Sequence, residues 1–399
     1  LSGSHTFAVG DNATNTSTFK YENTIDDIVF YKEDLTAAEV SEIYTARPAM
    51  TIYVDEDATG ANNGTSWADA FVSLKDATDY ATIAGDEIWI AEGVYTPDAS
   101  SRTASFRIMP GVSLYGGFNG TETALSQRDW RSNESILSGD LSGNDNANVA
   151  WSESTRSENS YRVVVLDDAG SNTLIDGVTI SGGHANHGSD NNYNRGAAIR
   201  MENAANSVDV RNCIIENNVA NLAAGIMAEF SSSNAHTANL ENCTFRNNVS
   251  RFGSSYMISI LSGTGDATIS NCLMLANQAI DLPPGTGYSG PGGFLDSRAG
   301  TTLNAEVVNC TFLDNVNTGT NSANSETSTL AARRHGGTFN LTVANCVFDG
   351  NTASKSIGRM NTLNCPTTAL LVNNIRPDVT STVCLTSSIN ETSLAPNLD

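Results

Sequence analysis

RNCIIENN at 211–218 returns as ENCTFRNN at 241–248, SNCLMLAN at 270–277, VNCTFLDN at 308–315 and ANCVFDGN at 344–351. Counting from the cysteines (Cys213, Cys243, Cys272, Cys310, Cys346), the residue three before is always aliphatic: Val210, Leu240, Ile269, Val307, Val343. Asn always stands immediately before, and a large apolar side chain stands two after: Ile215, Phe245, Met274, Phe312, Phe348. Five after the cysteine comes Asn218, Asn248, Asn277, Asn315 or Asn351. An internal repeat of this length is the mark of a stacked array. Cysteine and the residue two later share a parity, as a strand with one buried face requires, so each motif reads as a strand and not a helix.

The array is therefore a coil of parallel strands in which like residues stack about 4.8 Å apart. Asn tolerates left-handed backbone angles and can bond to an identical amide in the next coil, so the flanking asparagines belong at turns and in ladders. Cysteine-to-cysteine spacings run 30, 29, 38 and 36 residues, with the excess entering just after the second Asn. Solenoids absorb insertions in this way, at one corner. The insertions after Gly182, Asn277 and Asn315 should therefore leave from a common edge. About ten coils are expected from Gly85 onward, with the five cysteines in one interior file of buried thiols.

The 399 residues exceed the size of an ordinary single core. With 21 basic and 44 acidic residues the net charge is −23, which repels nucleic acid. Only 16% of residues are charged, while Asn, Ser, Thr and Gly abound, the composition of a secreted all-β protein. No apolar run approaches the roughly 18 residues that span a bilayer, so direct membrane insertion is not expected. Leu1 is neither an initiator methionine nor the start of a signal peptide, so the chain reads as a piece of something longer. Cys365 and Cys384 lie outside the repeat, and form either a disulfide or two free thiols.

In chain order, IDDIVFYKEDLTAAEVSEIY at 25–44 reads as a strand and then a short helix opened by the capping box of Thr36 and Glu39. This resembles the closing segment of a laminin G-like, concanavalin-type jelly roll, which would place residues 1–48 in the end of a β-sandwich. From residue 49 a second domain begins. Leu74, Ala77, Thr78 and Ala81 stand at helical spacing behind Ser66 and Ser73, and the helix would cap the first coil within a segment at 52–84. Ile88 and Ile90 mark the first coil strand, and coils fill 85–399. GTSWADAF at 64–71, YGGFNGTET at 115–123, ILSGDL at 136–141 and DGVTISGG at 176–183 resemble the right-handed parallel β-helix domains, pectate-lyase-like in fold, of large secreted bacterial surface proteins. That resemblance implies an all-β solenoid, export and multidomain architecture. It implies no single activity.

Asp55, Asp57, Asn62 and Asn63 gather hard oxygens in one glycine-containing loop, a candidate calcium site; the alternative is an Asx-rich surface turn. Asp140 and Asp145 in SGDLSGND are a fainter candidate of the same kind. Arg333, Arg334 and His335 form a basic triplet. In a β-helix lyase a basic side chain removes a proton beside a uronate; the alternative is a solvated patch that contacts ligand or nothing. Basic residues otherwise read as scattered. His184, His187 and Asp190 form a metal candidate within a polar loop. The sequence expectation is a non-enzymatic extracellular scaffold, an adhesin or filament rod touching glycans, other surface proteins or copies of itself. The rival expectation is a secreted polysaccharide lyase or glycoside hydrolase with an accessory carbohydrate-binding jelly roll.

Overall fold

The computed structural model describes residues 36, 47–98, 100–167, 173–188, 190, 193–202, 207–280, 290–318, 328–352, 355–359, 368–374 and 389–393. The chain forms two compact units, Leu1–Pro48 and Ala49–Asp399. Apart from residues 36, 47 and 48, the expected jelly-roll segment lies outside the described residues, as do Cys365 and Cys384.

The second unit is all-β, built from four all-parallel sheets of eleven, eight, five and eight strands. One circuit shows the connectivity. Ser207–Arg211 lies in the first sheet, Ile214–Glu216 in the second, Val219–Ala220 in the third and Ile226–Phe230 in the fourth. Ala235–Glu241 then returns to the first sheet beside Ser207–Arg211. Successive strands of every sheet thus come from successive circuits, the connectivity of a parallel β-helix. From Glu87–Ala91 onward the first sheet runs through Ser113–Phe118 and Leu174–Asp176 to Thr368–Asn374, one strand per circuit, and Ile389–Ser393 pairs beside that strand.

Register follows the motif. Val210, Leu240, Ile269, Val307 and Val343 pair in one file, and Ile215, Phe245, Met274, Phe312 and Phe348 in another. Both files are buried and belong to a single apolar core. Phe312 and Phe348 stack face to face with centroids 4.4 Å apart, so parity in sequence becomes ring stacking in space. The five cysteines are buried free thiols in the same core. Sγ of Cys243, Cys272, Cys310 and Cys346 points to a carbonyl of the preceding coil at 3.4–3.5 Å. Burial holds the Cys243 thiol protonated, well above its usual range, which makes it unreactive.

The asparagines divide the work. Those before the cysteines (Asn212, Asn242, Asn271, Asn309, Asn345) adopt φ of 53–56°, and Asn242 bonds to Asn212, Asn309 to Asn271 and Asn345 to Asn309 along the outside. Of those five after, Asn218, Asn248, Asn277 and Asn315 are fully buried and Asn351 is partly so, and their left-handed turn is made by the residue just before: Asn217, Asn247, Ala276, Asp314, Gly350. In each buried amide Oδ1 accepts both the backbone N–H and Nδ2–H of the preceding asparagine, at 2.9–3.2 Å. Each Nδ2 also donates to a carbonyl of the coil before: Ile180, Ile215, Phe245, Met274 and Phe312. The ladder ends where Gly183 N–H donates to Asn218 Oδ1 at 2.8 Å. A Cβ at Gly183 would stand 2.3 Å from the Ala197 carbonyl oxygen and 3.1 Å from that Oδ1, so no larger residue fits.

At the other end of the unit, helix α1 (Leu74–Tyr80) starts at Ser73, whose side chain accepts from Asp76 N. It buries Leu74, Ala77 and Thr78 and packs against Thr51–Val54, Glu87–Ala91 and Phe106–Ile108. Among the described residues no helix is long and apolar enough to cross a membrane. The insertions after Ala185, Ala279 and Asn317 all leave from strands of the third sheet, His184–Ala185, Gln278–Ala279 and Val316–Asn317. Most of the second and third insertions lies outside the described residues, whereas most of 186–198 is described.

Candidate ligand-binding cleft

The fourth sheet is buried on both faces. Its inward residues Ile226, Ala228, Tyr256, Ile258, Leu295 and Leu330 enter the main core. The alternate positions Met227, Met257, Phe294 and Ala331, paired coil to coil, form a second apolar cluster on the outer side with Ala223 and Phe252. Two residues further along the strands the outer file becomes polar: Glu229, Ser259, Asp296, Arg333. Arg195, Leu222 and Phe252 bridge one another in successive coils and wall this surface. A cleft of about 290 Å³ results, floored by Met257 and Phe294, with Arg195, Arg251, Arg298 and Arg333 around it and Asn221 and Glu229 at its edge.

Asp296 organises the cleft. Its side chain is fully buried, and Arg333 grips it with two parallel hydrogen bonds, Nε to Oδ1 and Nη2 to Oδ2, both 2.8 Å. Ser259 Oγ donates to Oδ2 at 2.9 Å. Arg298 Nε stands 2.9 Å from the same oxygen, at an angle that makes an ion pair and no hydrogen bond. The Arg333 guanidinium also lies 4.9 Å above the Phe294 ring, and that of Arg251 lies 5.0 Å from Phe252. His335 Nε2 is 3.7 Å from Asp296 Oδ1. Burial and the charges of Arg333 and Arg298 lower its pKa, with Asp296 pulling the other way, so the imidazole favours its neutral form.

The basic triplet is thus split three ways. Arg333 belongs to the cleft, His335 stands beside Asp296, and Arg334 donates to the carbonyl of Gly337 at 3.2 Å. The expectation of scattered basic residues is corrected: four arginines from separate circuits meet at one place. They reach one place from different positions: Arg195 and Arg251 precede their fourth-sheet strands, Arg333 stands within its strand and Arg298 follows its own, and their sequence spacing is irregular. A signal existed. Arg195, Leu222 and Phe252 each stand four residues before the first residue of a fourth-sheet strand (Ile199, Ile226, Tyr256), an offset visible once the repeat is extended beyond its motif.

The other candidates lie apart. Asn62 Oδ1 accepts from Val72 N at 2.9 Å, Asn63 Oδ1 from Thr65 N and Oγ1, and Asp55 Oδ1 from Asp57 N at 3.0 Å. Asp55 and Asn63 make Asx turns, and Asn62 ties the loop to the chain ten residues on. His184 is buried, whereas His187 accepts from Asp190 N at 3.1 Å and meets Tyr161 edge-on, so the two imidazoles serve different surroundings. Among the described residues, no group of three or more His, Cys, Asp or Glu could hold a metal ion.

Asp145 and Asp140 do share a pocket, of about 410 Å³, and its lining includes Arg156. Arg156 is almost wholly buried; Nη2 stands 3.2 Å from Asp145 and Nη1 donates to the Asn217 carbonyl at 2.8 Å. Burial pushes the Asp145 carboxyl up to about 6 in spite of that guanidinium. His184, whose Nδ1 bonds the Arg156 carbonyl at 2.8 Å, is driven down to about 4 by burial.

Fold and cleft together define an all-β protein of parallel sheets with an arginine-lined outer face. No family model matches the chain, and no curated protein matches it.

Proposed function

We propose that this chain is the rigid, non-enzymatic scaffold of an extracellular surface protein. In this reading it is a right-handed parallel β-helix of pectate-lyase-like fold, capped by the segment around α1 and following the end of a laminin G-like jelly roll. It holds its outer cleft and its third-sheet corner out for contact with glycans or neighbouring surface proteins. One observation carries the reading: Arg333, the side chain best placed to serve as a lyase base, is spent on Asp296 in a bidentate pair above Phe294. A guanidinium so held is a strut. The interior supports the same view, because identical neutral amides and apolar rings fill coil after coil, leaving the described ladder without a reactive group.

A second reading is favoured by His335. A neutral imidazole beside arginines suits a general base in a lyase that acts on acidic polysaccharide. Incubation with alginate, pectate and glycosaminoglycans, with and without calcium, separates the two by absorbance of the unsaturated product. The scaffold reading expects none. Product lost in His335→Ala or Arg333→Ala would overturn it.

A further inference from the structure

We propose that Asn119 is a self-modification site. In the folded chain it loses its side-chain amide to water through a cyclic imide, leaving an aspartyl or isoaspartyl link at the edge of the N-terminal cap. Asn followed by Gly is the pair most open to this chemistry, because glycine has no Cβ to hold its nitrogen away from the neighbouring side chain. The 399 residues contain two such pairs, and both begin the same tripeptide, Asn63-Gly64-Thr65 and Asn119-Gly120-Thr121. In sequence the two are equivalent. The fold separates them.

The electrophile is prepared alike at both. Asn63 Oδ1 accepts from Thr65 N at 3.1 Å and from Thr65 Oγ1 at 2.7 Å. Asn119 Oδ1 accepts from Thr121 N at 3.1 Å and from Thr121 Oγ1 at 2.5 Å. Two donors on one carbonyl oxygen draw charge from Cγ and stabilise the oxyanion that forms when Cγ is attacked. The nucleophiles differ. Gly64 is buried, its N–H donates to the Asp69 carbonyl at 2.9 Å, and its own carbonyl accepts from Tyr53 N at 2.9 Å. A Cβ there would stand 2.6 Å from the Phe71 ring, so the residue is pinned on three sides. Gly120 is half-buried, and among the described residues no group accepts its N–H. Its nitrogen is free to turn toward Cγ.

The step balances with water alone. Gly120 N gives its proton to hydroxide and attacks Asn119 Cγ; the N–Cγ bond forms, the Cγ–Nδ2 bond breaks, and Nδ2 leaves as ammonia with a proton from water, which restores the hydroxide. Water then opens the five-membered imide at either carbonyl. One water is consumed, one ammonia released and one carboxylate gained. The consequence falls on the cap. Glu122 is buried, and its carboxylate holds Asn119 N at 2.8 Å and Thr121 N at 3.0 Å, one on each side of the link that changes. The Glu122 carbonyl receives Trp67 Nε1 at 2.8 Å, and Trp67 packs on Tyr53 and Phe118 with centroids 4.8 and 5.4 Å away. An isoaspartyl link puts an extra methylene into the main chain between the two donors and a new charge near Glu122, so the hold on Trp67 loosens.

The test is to age the whole chain at about pH 6 and about pH 8 and map its peptides by mass spectrometry. The Asn119 peptide should exchange NH for O, in aspartyl and isoaspartyl forms, and faster at the higher pH, where the attacking nitrogen sheds its proton more readily. The Asn63 peptide should convert at least about tenfold more slowly, since one ordinary hydrogen bond must break before attack, whereas in urea the two should run at similar rates. Converted chain should melt earlier than fresh chain. Asn119→Gln kept for the same time should not, because glutamine must close a less favoured six-membered ring. If that variant fails to fold, the two peptides of the native chain decide alone. Equal rates at the two sites in the folded chain, faster conversion at Asn63, or no conversion at Asn119 would overturn the proposal, and a converted chain that melts with the fresh one would overturn its claim on the cap.

Discussion

Two stretches of the same corner, where the second sheet gives way to the third, solve one problem in different ways. From Asn218 to Asn351 the buried turn is filled by one neutral amide per coil, with Oδ1 accepting twice and Nδ2 donating to a neighbour and to a carbonyl. In the circuits before Gly183 the corner is filled by Arg156, Asp145, Asn159 and His184, which are charged or chargeable. That filling is incomplete: Asp145 Oδ1, Arg156 Nε, Asn159 Oδ1 and His184 Nε2 are enclosed without a hydrogen-bond partner. The difference teaches what repetition is worth. A self-complementary amide satisfies its copy above and below at once, whereas unlike groups must each find separate partners in a low-dielectric space. The ladder should therefore be indifferent to pH, and the charged corner sensitive to it.

The harshest way to break the charged corner is Arg156→Met. It removes the counter-charge 3.2 Å from Asp145 and the donor to the Asn217 carbonyl, leaving a largely buried carboxylate with no counter-charge and the neutral Asn159 amide as its donor. Loss of one partner from a buried pair costs about 3–5 kcal/mol. Denaturant unfolding at pH 7 should show that loss, and less of it at pH 5, where the Asp145 carboxyl, already raised to about 6, holds its proton. A variant within about 1 kcal/mol of the native chain would mean that the corner is wetter than its burial implies.

A milder break is expected on the ladder side. Asn277→Ala deprives Asn248 of the acceptor for its N–H and Nδ2–H, and deprives the Phe245 carbonyl of its donor. Each enclosed group left bare costs about 1–3 kcal/mol, partly recovered by water entering the space, so about 2–4 kcal/mol is expected. Unlike Arg156→Met, this loss should be the same at pH 5 and pH 7. A pH-dependent loss would break the comparison, because no ionisable group takes part in the ladder.

The same contrast explains what was legible. The ladder could be read because its residues recur at fixed offsets from a cysteine, and a parallel strand turns a fixed offset into a stack. The helix start at Ser73 and the parity of Ile88 and Ile90 were legible for similarly local reasons. The second left-handed turn was not, because Asn217, Asn247, Ala276, Asp314 and Gly350 share no side-chain chemistry and only the backbone repeats. The arginine cleft and the corner around Arg156 were hidden for another reason. Their members come from circuits of unequal length, and each occurs once, so contact in space leaves no period in the sequence.

The smallest expected effect separates the two corners by sign. His184 has a folded pKa lowered from 6.5 to about 4 by burial, with Arg102 and Arg156 adding to the shift. As pH falls below 6.5 the unfolded chain takes a proton that the folded chain refuses, so this group's contribution to stability declines down to about pH 4. Asp145 has a folded pKa raised from 3.8 to about 6, so between those values the folded chain holds a proton that the unfolded chain has lost. Its contribution therefore improves as pH falls through the same window, and the two largely offset one another. His184→Asn keeps a donor near the place of Nδ1, facing the Arg156 carbonyl, and removes only the titration. Relative to the native chain, the variant should gain about 1–2 kcal/mol on going from pH 6.5 to 4.5, at 1.36 kcal/mol per proton and pH unit at most. Urea unfolding of both proteins at the two pH values measures that difference of differences, in which general effects of the −23 charge cancel. Identical pH dependence in the two proteins would show that the imidazole titrates as it does in water, and the charged corner would then lose its claim to differ from the ladder.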